Sequence, residues 1–239
     1  MINKNVLKDL FSKITIPSQF GGDIDGEDYT NIDEWVSDII NKNKLNNSIE
    51  YRHGVSKAVF IFNNLNFVIK IPFNGSWECE YGLDKDSDRV VEISRDWYDF
   101  ITEDYCEKEL SKYTKAKEKG LEIFFAAVDN FTLSENRKPI YIQEKVIPFY
   151  EYEKENKISI TEEHEMLARR LRCDFHSRLF DSWIAAAIKY YGFDLTKKFL
   201  SFIEKEDYEI GADLHSGNYG FRENGTPCLL DYSGWEEDI

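Results

Sequence analysis

Apolar residues recur at helical spacing near the N-terminus, where Val6, Leu7, Leu10, Phe11 and Ile14 form one stripe. A second stripe, Trp35, Val36, Ile39 and Ile40, follows Thr30, which makes an imperfect capping box with Asp33. Between the two stripes, Gln19 to Glu27 carries Gly21, Gly22 and Gly26 together with Asp23, Asp25 and Glu27. It lacks the closing glutamate of a calcium loop and reads as a solvated turn. From Ile49 to Phe73 the period shortens to that of strands. Tyr51 to Phe60 reads as strand, turn and strand about Gly54, Asn63-Asn64 is the next turn, and Asn66 to Ile71 is a third strand. Residues 74–100, rich in Asp and Glu with Trp77 and Trp97, show no assignable element. A helix is predicted from about Glu103 to Gly120, its face defined by Cys106, Leu110, Tyr113 and Lys117 and its end by Gly120.

Leu121 to Val128 and Ile140 to Val146 read as an antiparallel pair around an Asn130–Lys138 loop, and residues 147–160 as a charged linker. Ser159 with Glu162 forms a capping box. It opens a helical run through Leu167, Leu171, Phe175, Leu179, Trp183, Ile184 and Ile188 to Gly192. A further helix spans about Asp194 to Glu204, buried through Leu195, Phe199 and Phe202. Near the C-terminus, Tyr219 to Phe221 and Cys228 to Leu230 flank Asn224-Gly225. That dipeptide is the strongest hairpin signal in the chain, because both residues tolerate positive φ.

Composition narrows the partners. The 239 residues include 45 acidic against 30 basic ones, a net charge of −15. Nucleic acid and anionic membranes both require clustered Lys and Arg, so neither is expected as a partner. An acidic surface is ordinarily a means of solubility, although it also suits a module that occupies a basic partner. Cys79, Cys106, Cys173 and Cys228 are scattered, as expected of reduced thiols in the cytoplasm. No apolar run is long enough to span a membrane, and Met1 to Asn5 does not open a signal peptide. His164-Glu165 starts like a zinc-protease helix, but Ala168 stands where the second histidine belongs.

The candidate chemistry lies around the hairpin. Folding it brings Asn218 beside Asp231, and Asp213 lies on the loop before Asn218. Such a set suits a hard cation with oxygen ligands, with one carboxylate left to accept a proton. Upstream, Lys70 interrupts the apolar run Phe67 to Ile71, where a lysine is costly to bury without a partner.

Asp213-Leu-His-Ser-Gly-Asn218, then Asp231-Tyr-Ser-Gly234, preceded by Val68-Ile69-Lys70, resembles the protein-kinase-like superfamily, closer to its atypical and small-molecule branches. The resemblance covers about residues 50–235. It implies an α+β, bilobal fold with a small antiparallel-sheet N-terminal lobe and a mainly helical, shortened C-terminal lobe. The division expected is 1–50 as a helical extension, 51–147 as the first lobe and 148–239 as the second, with ATP in the cleft between the lobes. It further implies that Lys70 holds the α- and β-phosphates of ATP. A glutamate on the helix after the insert, Glu107 or the better-placed Glu109, orients that lysine. Gly54, Ser56 and Lys57 stand where a glycine-rich loop would cover the phosphates, with one glycine rather than three. Adenine pairs with backbone near Glu144 and Val146, Asn218 and Asp231 hold Mg²⁺, and Asp213 accepts the proton of a hydroxyl acceptor. The family's peptide-docking elements have no counterpart after Gly234, and residues 1–50 are expected to pack on the C-terminal lobe in their place. The activity implied is transfer of the γ-phosphate of MgATP to a hydroxyl on an unknown protein or small molecule. A nucleotide-binding pseudokinase or sensor, AMP transfer and an acidic interaction module are the alternatives.

Overall fold

The computed structural model describes residues 3–17, 32–45, 48–53, 56–73, 76–83, 90–98, 104–156, 158, 160–171, 178–205 and 207–233. For residues 76–83 and 90–98, and for 178, 179 and 212, only the backbone is described. The architecture is mixed α and β. Contacts divide the chain into two compact units, Met1–Cys106 with Asp129–Gln143, and Glu107–Val128 with Glu144–Ile239.

In the first unit, α1 (Lys4–Phe11) starts where the Asn3 side chain accepts from the Asn5 and Val6 N–H groups. Leu7 and Phe11 are wholly buried, whereas Val6 is 49% exposed, so the buried stripe is narrower than expected. Helix α2 (Ile32–Lys42) buries Ile32, Val36 and Ile39. Strands β1 (Ile49–His53), β2 (Lys57–Phe62) and β3 (Phe67–Pro72) follow as an antiparallel meander. Next come β4 (Ser76–Leu83) and β5 (Val90–Tyr98), paired with each other across Trp77 and Trp97, so the insert that showed no pattern is a hairpin.

After α3 (Tyr105–Glu118) and a 3₁₀ turn at Glu122–Phe124 come β6 (Val128–Leu133) and β7 (Pro139–Glu144). The expected strand at Leu121–Val128 is thus mostly a turn, with one isolated parallel bridge from Phe125 to Leu229 before β6 begins. The five-stranded antiparallel sheet has the order β1-β2-β3-β7-β6. One face, with Ala58, Phe60, Phe62, Ile69, Ile71, Ile140 and Ile142, shares a single apolar core with Leu7, Phe11, Val36 and Ile39. Residues 1–50 therefore contribute their helices to the sheet's core, which corrects the expectation that they replace helices of the C-terminal lobe. The link from α1 is gripped by the β6–β7 turn. Asn136 donates through Nδ2 to the Ile16 carbonyl (2.7 Å), its Oδ1 accepts from the Ile16 N–H (3.1 Å), and Lys138 Nζ donates to the Pro17 carbonyl (2.6 Å).

The second unit holds β8 (Ile147–Pro148), α4 (Phe149–Glu155), α5 (Glu162–Arg170), α6 (Arg178–Tyr191), α7 (Phe193–Lys205), α8 (Tyr208–Ala212), β9 (Tyr219–Phe221) and β10 (Pro227–Leu229). The expected linker 147–160 thus contains a strand and a helix. The run expected to continue to Gly192 is divided into α5 and α6. Thr161 caps α5: it accepts from the His164 N–H, and His164 reaches back to the Thr161 N–H. The core is aromatic, with Phe124 stacked on Phe199 at 4.3 Å and Phe180 on Trp183 at 5.4 Å. The readings placed on Gly21, Gly22, Gly26, Thr30, Gly54, Ser159, Phe175 and Gly234 lie outside the described residues. Among the described residues, no helix is long and apolar enough to cross a membrane.

Candidate functional site

The hairpin that orders the site is set by its turn and by one close approach. The Gly225 N–H donates to the Arg222 carbonyl (2.8 Å), and the Arg222 N–H to the Thr226 carbonyl (2.9 Å). Gly225 lies at φ +82°, while Asn224 is not in the left-handed region. The connection is therefore a three-residue loop closed by a left-handed glycine, not a two-residue turn with both residues at positive φ. Asn224 acts through its side chain, whose Oδ1 accepts from the Thr226 N–H (3.1 Å) and hydroxyl (2.7 Å). At Gly220, β8 crosses so closely that an added Cβ would lie 2.9 Å from the Ile147 carbonyl carbon and 3.0 Å from Pro148 Cα. The buried Trp183 Nε1–H donates to the Gly220 carbonyl (3.0 Å), fixing the hairpin to α6.

Asn218, buried at 5% exposure, is the hub of the site. Its carbonyl accepts from the Leu230 N–H (2.9 Å) and the Asp231 N–H (3.2 Å). Its Nδ2 donates to the carbonyl of Asp213 (2.7 Å), the residue that caps the end of α8. One side chain and one carbonyl thus tie the loop holding Asp213 to the strand end holding Asp231. The Nδ2 bond orients the amide, whose Oδ1 is the atom that would face a cation. Asp231 is half-buried, and its Oδ1 accepts from the Ser233 hydroxyl (3.1 Å). The loop between is tightened by the His215 N–H to the Asp213 carbonyl (3.0 Å) and the Asn218 N–H to the His215 carbonyl (2.8 Å). An amide oxygen and a carboxylate fit a hard cation such as Mg²⁺, which binds through one or two protein oxygens and keeps waters. Among the described residues no cluster of three His, Cys, Asp or Glu forms a site made wholly of such ligands.

Lys70 is 3% exposed on β3. Its neighbours Ile69 and Ile71 enter the apolar core, so by strand alternation Lys70 lies on the opposite face. Lys57 pairs with Pro72, and Val59 with Lys70, which puts both lysines on that face. Lys57 is 6% and Ser56 7% exposed. In the second unit Glu109 is wholly buried, and Glu107 is exposed. The buried stripe of α3 is Cys106, Glu109, Lys112 and Ala116, not the expected face of Leu110, Tyr113 and Lys117. Lys112 Nζ lies 3.1 Å from Asp207 Oδ1 and 2.6 Å from Glu209 Oε2, joining α3 to the start of α8.

Glu144 and Val146 were expected at an adenine-binding backbone. Val146 is half-buried. The Glu144 N–H already donates to the Ala127 carbonyl (2.8 Å). Its carboxylate takes both arms of Arg222, from Nε (2.8 Å) and Nη2 (3.1 Å). Arg222 also donates to the carbonyls of Ile123 (3.0 Å) and Phe125 (3.0 Å) and to the Tyr191 hydroxyl (3.2 Å). Burial pushes the Tyr191 phenol up to about 12, and Arg222 partly opposes this. Burial also pushes the adjoining Cys228 thiol up to about 12, which keeps it protonated and unreactive. Sequence reasoning missed Arg222, whose signal was a lone arginine closing an apolar strand, and Gly220, whose signal was a glycine between two aromatic residues. No family model and no curated protein matches this sequence.

Proposed function

We propose that this chain is an ATP-dependent phosphotransferase of protein-kinase-like, bilobal architecture, its sheet-bearing part corresponding to the small lobe and its helical part to a shortened large lobe. The observation that carries the reading is Asn218, which bonds the Asp213 carbonyl with its side chain and the Asp231 N–H with its own carbonyl. Phosphoryl transfer needs positioning and charge neutralisation more than covalent chemistry, and a rigid loop supplies the positioning. Mg²⁺ held by Asn218 and Asp231 would neutralise phosphate charge. Asp213 accepts the proton of the acceptor hydroxyl. Lys70, kept from water on its strand, supplies a fixed positive charge to the α- and β-phosphates, and Glu109 is the carboxylate assigned to orient it.

Melting of the protein with ATP, with and without Mg²⁺, followed by labelled-ATP turnover and mass analysis of the products, tests this reading. A Mg²⁺-dependent shift abolished by Asp231→Asn is expected. Asp213→Ala should keep that shift while slowing turnover by about 10²–10⁴-fold, the usual range for a lost general base. No shift in the parent refutes the nucleotide site and leaves the acidic interaction module. A shift without turnover identifies a pseudokinase, and an adenylyl product identifies AMP transfer.

A further inference from the structure

We infer that β4 is a docking strand, whose open edge adds an extended segment of a partner protein in which lysine or arginine alternates with apolar residues. Among the described residues β4 and β5 form a sheet of their own, two strands with no third. Such a pair standing alone is marginal in water, and a third strand stabilises it. Sheets blunt an open edge with a short strand, a lysine, a proline or a bulge. Strand β5 has a bulge: the register steps from Glu80 opposite Ser94 to Tyr81 opposite Glu92, which leaves Ile93 as the extra residue. Strand β4 is eight residues long and carries no proline, lysine, arginine or extra residue. The edge of β4 is thus the one suited to a further strand.

Alternation along β4 sets what that strand carries. Trp77, Cys79, Tyr81 and Leu83 share one face, and Ser76, Glu78, Glu80 and Gly82 the other. On the second face the register puts Glu78 directly opposite Asp96, with Glu80 opposite Ser94. Like charges directly opposite are destabilising, and the nearest arginine of β5, Arg95, stands opposite Cys79 on the other face. An incoming strand with a basic residue at every second position brings cations to the acidic face and apolar residues to the face of Trp77 and Tyr81, while its backbone extends the ladder. A second copy of this chain is the poorer occupant. Antiparallel pairing of β4 with β4 about a two-fold axis puts the acids of both copies on one face, in a chain whose net charge is already −15.

The inference holds whether or not the chain turns over ATP, and peptide binding to the full chain tests it. The probe is a fluorescent peptide of β4's length that alternates lysine with valine, read by anisotropy. It should bind, and the same residues with the lysines grouped at one end should bind at least about 10-fold more weakly. N-methylation of alternate peptide residues, made in both registers, separates a strand ladder from plain charge attraction: one register should bind and the other should fail. Glu78→Lys with Glu80→Lys should lose the lysine peptide by about 10-fold or more and take up its glutamate counterpart instead. No binding by the parent, or equal binding of both methylated registers, overturns the inference. A parent that sediments as a dimer and excludes the peptide assigns the edge to a second copy and overturns it too.

Discussion

Replacing Arg222 with leucine tests what holds the hairpin that carries Asn218 and Asp231. The guanidinium donates to both oxygens of Glu144, to two backbone carbonyls and to Tyr191. Removing one partner of a buried ion pair costs about 3–5 kcal/mol, because the other charge stays behind. The Glu144 side chain is 32% exposed and that of Arg222 19%, so water recovers part of this. The ionic part is then about 2–3 kcal/mol. The single Tyr191 hydroxyl proton goes to the Pro227 carbonyl (2.6 Å), so the Ile123 and Phe125 carbonyls both lose a donor, adding about 1 kcal/mol together. The expected total is about 3–4 kcal/mol, or roughly 10 °C in melting temperature at about 2–4 °C per kcal/mol.

Urea unfolding of parent, Arg222→Leu, Glu144→Leu and the double variant is the assay. The double variant should be less damaged than the sum of the single ones, since it leaves no stranded carboxylate. The pair is partly exposed, so part of the loss should be screened away as salt is raised. A cost below about 1 kcal/mol, the worth of an exposed pair, or strict additivity in the double variant, would refute the clamp.

Two further outcomes follow from the same unit. Cys228 and Tyr191 have folded pKa values of about 12, raised above their ordinary 9.0 and 10.0. The unfolded chain gives up these protons first, so their contribution is intact below about pH 9 and is lost as pH rises towards 12, by up to about 1.4 kcal/mol per pH unit per group. Urea midpoints between pH 8 and 11 should fall, and Cys228→Ala should flatten the decline; an unchanged slope refutes the burial argument. Gly220→Ala forces a methyl group into the β8 backbone and should cost more than about 3 kcal/mol, with loss of soluble protein. A variant that melts like the parent would show that β8 does not press on the hairpin.

Legibility in the sequence followed the range of the interaction. The meander from Ile49 to Pro72 was readable because alternation and turn residues are local, and its three strands appear where the period shortens. The loop from Asp213 to Asn218 and the hairpin behind it were readable for the same reason. The β4–β5 hairpin was not, because Asp and Glu have poor strand preference and the pairing of Trp77 with Trp97 spans a long connection. The division of the long helical run into α5 and α6 was equally hidden, since Leu167 and Leu171 keep helical spacing up to the point where α5 ends. The role of Arg222 was out of reach: its partners at 123, 125, 144 and 191 are distant in sequence, and nothing local names them.

Helix α3 shows how such long-range pairing bears on the site. Its buried stripe contains a glutamate and a lysine, which a sequence reader places on the solvent side. Burying Lys112 is tolerable because Asp207 and Glu209 meet it, and Lys115 stands 3.5 Å from the other oxygen of Asp207. Asp207 is also where α7 ends, its N–H donating to the Phe202 carbonyl (3.1 Å), and where α8 begins. From there α8 runs directly to Asp213, whose carbonyl is held by Asn218. A helix bearing the buried Glu109 is therefore joined by charge to the short helix that delivers the proposed base. Lys112 then has a reason to be buried, as the link that fixes α3 to α8.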